Sequence, residues 1–320
     1  LWGLLLFAAC GIASLAQAED GAGNYPQRPI RMVVPYAPGG GTDIVARVAA
    51  KELSEALGQA VVVENKPGGS GILATVSVAR AAPDGYTLLA APSGPLVMNP
   101  VLRKSLPYNP QTDFVPVSVI GRLPLLITVN STLPVKSVKE LIDYAKAHPN
   151  NLNYASSAPL FQLATELFKQ KTGTNFIAVP YKSSGESATA LLSDQVTLSI
   201  SDVPPVAGLI RDGRLRALAY TDTRRSAEFP DVPTVSEAGL SGTEVATLVG
   251  IVAPAGTPAA IVRKLQDVLV AMVKKPDVRE RLAKIGVEPV GSTSKEFADD
   301  IKNDIARWED VAQRAHIEKQ

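Results

Sequence analysis

The sequence predicts an α/β protein built as two lobes around a cleft. Three observations carry that prediction. Short apolar runs alternate with amphipathic segments. The alternation is interrupted by an apolar run over 123–129 and then restarts. Loops rich in glycine or serine recur where a run hands over to the next segment, in both halves. Alternation of this kind argues for a largely parallel sheet covered by helices.

The elements follow in order. PIRMVVPY (29–36) is a short apolar strand candidate. Over 42–57, Ile44, Val45, Val48, Ala49, Leu53, Ala56 and Leu57 fall at helical spacing on one stripe. Thr42 is the expected N-cap, Asp43 suits the positive end of that helix, and Gly58 is its terminator. A strand over 61–64 precedes a second glycine loop, NKPGGSG, and a helix over 72–81. The turn Pro83-Asp84-Gly85 leads to a strand over 86–90. LPLLITV (123–129) reads as a strand crossing between lobes, and a helix opened by Lys136-Ser137-Val138 runs to His148-Pro149. Strands are then expected at 152–155, 177–180, 196–200 and 215–221, with helices at 160–170, 185–193 and 205–212. Thr247–Val252 is the second crossover, and 259–316 is mostly helical.

Composition narrows the function. Of 320 residues, 32 are Lys or Arg and 31 are Asp or Glu, with no run of like charge. Aromatic residues make up 5% and form no stripe with basic ones, so nucleic acid is not an expected partner. The only cysteine is Cys10, within LWGLLLFAACGIASLAQA, an uncharged stretch ending in an A-x-A pattern. That stretch reads as a signal peptide over 1–18, and its missing basic region and initiator Met point to a truncated N-terminus. A soluble, cleaved product is preferred to lipidation at Cys10 or a membrane anchor. The mature chain then has no disulfide, thiolate metal site or cysteine nucleophile.

Catalytic kits are missing. There is no HExxH, no G-x-S-x-G, no Walker A lysine and no G-x-G-x-x-G. The two histidines, His148 and His316, both read as solvated. No metal site and no cofactor are expected. What remains is a set of loops entering helices: Gly39–Thr42, Pro67–Gly71, Ser93-Gly94, Ser156-Ser157 and Ser183-Ser184-Gly185. Helix N-termini carry unpaired N–H groups and about half a positive charge, so a carboxylate is stabilised there. Glycine permits close approach. One such loop is more often only a tight turn, Ser156 and Ser183 are also helix-cap residues, and Asp43 also suits the helix dipole alone. Asp202 is either a turn residue or an acceptor for a ligand hydroxyl or amine. The joint occurrence of these loops in both halves favours a cleft, at the end of the sheet where α/β proteins bind ligands.

The segment Pro35-Tyr36-Ala37-Pro38-Gly39-Gly40-Gly41-Thr42-Asp43 resembles the first-lobe signature of the Bug/TctC family of periplasmic substrate-binding proteins. Glu64-Asn65-Lys66-Pro67-Gly68-Gly69, Ala82–Leu88, Pro180-Tyr181-Lys182, Pro230–Thr234 and Ala253–Pro258 fit the same family in order. The resemblance implies a two-lobed type II periplasmic-binding-protein fold with a ligand cleft between lobes. It implies lobe 1 over 19–122 and 249–320, and lobe 2 over 123–248. It also implies ligand-binding roles for Gly39, Gly40, Thr42 and Asp43, for Gly68, Gly69 and Ser93 in the same lobe, and for Ser156, Ser157 and Asp202 across the cleft. The expected protein is a monomeric periplasmic receptor, without catalysis, that takes a small organic carboxylate to a membrane transporter or sensor kinase. An exported enzyme acting on a carboxylated metabolite is the alternative. Ser156–Leu163 lacks the family's usual His and glycines, Leu248 stands where a Trp is common, and Ser183 stands where a Gly is common. These departures imply a monocarboxylate, or a carboxylate with an apolar body.

Overall fold

The computed structural model describes residues 23–149, 152–222, 225–226, 228–284, 286–314, 317 and 319. The expected signal peptide, Cys10 and His316 lie outside them.

Strand β1 (Ile30–Val34) alternates as its sequence demands. Ile30, Met32 and Val34 enter one core, and Val33 enters another on the opposite face. Helix α1 (Gly41–Leu57) buries Val45, Ala46, Ala49 and Leu53 against the first of these cores. Its N-cap is Gly40, not Thr42 as expected, and a glycine has no side chain with which to cap it. The reason lies in its surroundings, because an acidic group from a distant strand takes up the Gly41 N–H. Strand β2 (Val61–Asn65) is followed by a 3-10 turn at Gly69–Gly71 and by α2 (Ile72–Ala79). Strand β3 (Thr87–Pro92) runs into a π-helical turn at Gly94–Met98 and the short α3 (Asn99–Leu102).

Strand β4 (Phe114–Asn130) is the spine of the molecule. It begins well before the expected position 123. Helix α4 (Val138–Ala147), β5 (Asn153–Ser156), α5 (Pro159–Thr172) and β6 (Ile177–Pro180) follow. Then come α6 (Ser184–Leu192), β7 (Leu198–Asp202), α7 (Pro204–Arg211) and β8 (Leu215–Tyr220). The tail holds β9 (Ala246–Pro254), α8 (Ala259–Met272), α9 (Pro276–Ala283), β10 (Glu288–Pro289) and α10 (Ser294–Arg314). Ser137 and Ser183 each cap their helix by accepting a hydrogen bond from the backbone N–H three residues on, at Glu140 and Glu186.

Among the described residues, ten strands form one sheet, ordered β2-β1-β3-β9-β4-β7-β5-β6, with β8 and β10 also paired to β4. The flanks are parallel (β1 with β2 and β3, β5 with β6 and β7). The centre is antiparallel, because β4 and β9 run back across it. The expected, largely parallel sheet therefore holds only at the two ends. Up to Pro124, β4 pairs with β9; from Leu125 onward it pairs with β7 and β8. The change of partner curls the sheet and leaves the C-terminal ends of β1 and β7 facing one another across a crevice.

Helices seal both halves. Phe297, Ile301, Ile305, Trp308 and Ala312 recur every three or four residues along α10 and are buried in the larger core. In the second half, Leu126 and Tyr220 pack with Ala188 and Leu191 of α6, Val206 of α7 and Val203, the residue just before α7. Glu52 of α1 ties the first half together: it is buried and accepts hydrogen bonds from Lys275 and Arg281 at 2.8 Å each.

Candidate functional site

The loop after β1 and the loop before α6 bring two helix N-termini face to face. A Cβ placed on Gly40 would lie 3.1 Å from Ser184 Oγ, and one on Gly185 would lie 3.2 Å from the Gly39 carbonyl oxygen. Between them comes Asp202, the last residue of β7. The Gly41 N–H donates to Asp202 Oδ2 at 2.6 Å, joining residues 161 positions apart in the chain. The Ser184 side chain lies beside this carboxylate and favours its charged form. Burial pushes the Asp202 carboxyl above its ordinary pKa, partly opposed by these contacts. Gly41 must be glycine here: a Cβ would fall 1.9 Å from Asp202 Oδ2 and 2.7 Å from Leu123 Cδ2.

A cavity opens beside this contact. It holds about 440 Å³ between its atoms, mouth included. Gly40, Gly41, Thr42, Ser157, Ser183, Ser184 and Asp202 supply its polar wall, and Leu123, Leu160, Phe161 and Pro92 its apolar one. Tyr36 after β1, Gly94 after β3, Ala158 before α5 and Thr247 in β9 complete the lining. Tyr36 OH, Ser157 Oγ, Asp202 Oδ1 and Thr247 Oγ1 are buried without a protein partner, and all four belong to this cavity. Leaving such groups unpaired costs about 1–3 kcal/mol each, so a cluster of them in one place points to a ligand that pairs them. Burial, with Tyr108 and Asp202 nearby, drives the Tyr36 hydroxyl far above its ordinary pKa. It is therefore a neutral phenol able to donate.

Of the residues expected to bind ligand, Gly40, Thr42, Ser157 and Asp202 line this cavity. The other six do not. Asp43 turns toward its own helix and accepts from the Gly39 N–H at 3.1 Å, Arg47 Nε at 3.0 Å and Asn65 Nδ2 at 2.8 Å. Burial alone would raise its pKa, but those bonds and the Arg47 charge outweigh it and hold it below the ordinary value. Asp43 thus takes up the Gly39 donor itself. Asn65 also donates to the Tyr36 carbonyl at 3.0 Å, so this cluster fixes the strand end that carries the tyrosine. Gly68 and Gly69, both with positive φ, shape the second loop over Leu73 and Ile72. Ser93 accepts from the Leu248 N–H at 2.9 Å and so anchors β9 beside Thr247. The Ser156 carbonyl accepts from the Tyr181 N–H at 2.9 Å.

Sequence reasoning missed Tyr36, Thr247, Leu123 and Phe161 as lining residues. A signal existed for Tyr36, an aromatic hydroxyl placed where an apolar strand meets the glycine loop. Thr247 carried none. Among the described residues, no group of three or more His, Cys, Asp or Glu could hold a metal ion, and no helix is long and apolar enough to cross a membrane.

Comparison with known proteins places this geometry. The model of the tripartite tricarboxylate transporter family receptor matches residues 45–317. The chain belongs to that receptor family. Protein BugT of Bordetella pertussis is 39% identical over 310 residues, spanning 96% of this chain and 94% of its own. A solved R. palustris protein with adipate is 39% identical, with a TM-score of 0.89 over 91% of this chain and 98% of its own. MatC from Rhodopseudomonas palustris, solved with bound malate, is 34% identical, with a TM-score of 0.86 over 90% and 99%. The tripartite tricarboxylate transporter receptors are solute-binding proteins with a two-lobed α/β fold, and this chain is one of them rather than an enzyme.

Proposed function

We propose that this receptor captures a small organic carboxylate in the cavity between the N-termini of α1 and α6. It then delivers the ligand to a membrane transporter or a sensor kinase. The observation that carries the reading is the gathering of four unpartnered buried polar atoms, on Tyr36, Ser157, Asp202 and Thr247, around one cavity. The adipate and malate seen with the two R. palustris proteins support a carboxylate as the ligand. The Thr42 N–H, in the first turn of α1, and the three hydroxyls are the donors for it. The wall of Leu123, Leu160 and Phe161 suits an apolar body.

We take the lobes to be 19–122 with 249–320, and 123–248, the division that the sequence resemblance implies. The change of β4 partners at Pro124 and Leu125 supports a hinge there. Ligand favours the closed form only through its extra contacts in that form. The receptor works in the periplasm, after loss of the leader over 1–18, as a monomer.

The test is a thermal-shift screen of organic acids, followed by titration calorimetry and assay of the recovered acid. Saturable binding with the acid returned intact is expected. Absence of binding across mono-, di- and tricarboxylates contradicts the reading, as does selectivity for citrate-like tricarboxylates alone.

A further inference from the structure

Asp202 sits where a ligand's own negative charge would be most stabilised. Its Oδ2 already takes the first N–H of α1, and the Ser184 side chain lies beside the same carboxylate. Its Oδ1 is buried in the cavity wall with no protein partner. The next free donor on α1, the Thr42 N–H, is one residue away, so a carboxylate bound there lies within a few ångströms of Oδ1. Two carboxylates in that space repel, and burial makes the repulsion expensive. The other unpartnered groups do not relieve it. Tyr36, Ser157 and Thr247 are hydroxyls and can serve the ligand's oxygens, whereas Asp202 Oδ1 is a carboxylate oxygen left to accept a hydrogen bond.

Resting on the carboxylate-receptor reading above, we propose that Asp202 is the specificity-determining residue of the pocket and selects acids bearing a hydroxyl or ammonium group close to the carboxylate. That group donates to Asp202 Oδ1 while the carboxylate takes the Thr42 N–H and the neighbouring hydroxyls. A site built to pair a substrate O–H or N–H rejects the analogue lacking it far more strongly than an apolar pocket rejects a missing methylene. The apolar wall leaves chain length loosely defined, and Asp202 sets the chemistry at the head.

The test is titration calorimetry with matched acids: malate, aspartate and succinate; 2-hydroxyadipate and adipate; 2-hydroxyhexanoate and hexanoate. In the wild type, the hydroxyl- or amino-bearing member of the best-bound set is expected to bind at least about tenfold more tightly than its plain analogue. Asp202→Asn keeps an acceptor for the Gly41 N–H but presents an amide able to donate. It is expected to cut that preference to less than about twofold while still binding the plain acid. Equal wild-type affinities within every set overturn the assignment and leave the carboxylate-receptor reading standing. A preference that survives in Asp202→Asn overturns it as well. Failure of every acid to bind the wild type overturns both readings. The wild-type comparison stands whether or not the variant folds.

Discussion

The backbone N–H of Gly41 donates to the Asp202 carboxylate at 2.6 Å, and that single bond ties the first helix of one half to the last residue of a strand in the other. Its geometry makes Gly41→Ala a clean probe. Gly41 has no positive φ, and alanine in a helix is favoured over glycine by about 0.5–1 kcal/mol. The new Cβ, however, would fall 1.9 Å from Asp202 Oδ2. The variant is therefore expected to have a lower Tm, because Asp202 and Leu123 must shift to admit the methyl group, and to lose at least about tenfold in affinity because the halves cannot meet. Small-angle scattering should register ligand-induced compaction in the wild type and none in the variant. Equal compaction in both would remove the Gly41–Asp202 contact from the closing step.

Asp202 itself carries a pH signature. Its folded pKa lies above the ordinary value, chiefly through burial. Stability from such a group is complete below its unfolded pKa of about 3.9 and is lost as pH rises through the folded value. As pH rises through that folded value the wild type incurs the loss, and Asp202→Asn does not. A Tm gain of about 2–4 °C is expected for the unliganded variant, corresponding to ~1 kcal/mol in a chain of this size. The gain should shrink as pH is lowered. Calorimetric scans from pH 8 to pH 5 check this; a gain that grows on acidification has the wrong sign.

Tyr36 and Thr247 predict the opposite split between stability and binding. Neither side chain has a protein partner, so Tyr36→Phe and Thr247→Val delete no bond from the unliganded fold. Each is expected to leave Tm within about 1–2 °C of the wild type, since an unpaired buried hydroxyl contributes nothing favourable. Each should weaken carboxylate binding about tenfold, equivalent to ~1.4 kcal/mol. Melting curves with and without adipate or malate separate the two effects. Unchanged affinity in both variants would take these hydroxyls out of the binding site.

Glu52 is a structural counterpart, far from the cavity. Burial alone would raise its pKa, yet the hydrogen bonds and charges of Lys275 and Arg281 hold it below the ordinary value. Its contribution is present above the unfolded pKa of about 4.3 and is lost as pH falls through the folded one. Both partners are partly exposed and recover water when freed, so Glu52→Gln is expected to lose only about 1 kcal/mol. Urea unfolding should give a clear difference at pH 7 that shrinks as pH is lowered below the unfolded pKa. Ligand affinity should not change.

The alternation of strands and helices was legible because each parallel flank repeats one local pattern. Ile177–Pro180 falls where its sequence suggests, and the serine caps at 137 and 183 announce α4 and α6 three residues ahead of a glutamate. The first half of β4 was not legible. Pro116 and Gly121 interrupt FVPVSVIGR, and the strand survives only through register shifts at Pro116/Ser118 and Val119/Gly121. Thr42 was read as a cap because local rules favour threonine there. The true partner of the helix end, Asp202, is too distant in sequence for any local rule to find. The same holds for Asp43, whose charge and position suggest the cleft while Arg47 and Asn65 turn it away.

The most direct measurement is a crystal structure of the full chain grown with malate or adipate at saturating concentration. The predicted result is carboxylate density between the N-termini of α1 and α6, within hydrogen-bonding distance of the Thr42 N–H and at least one hydroxyl of Tyr36, Ser157 or Thr247. Density for the acid at any other place on a protein whose Gly39–Thr42 loop contacts no ligand would contradict the account.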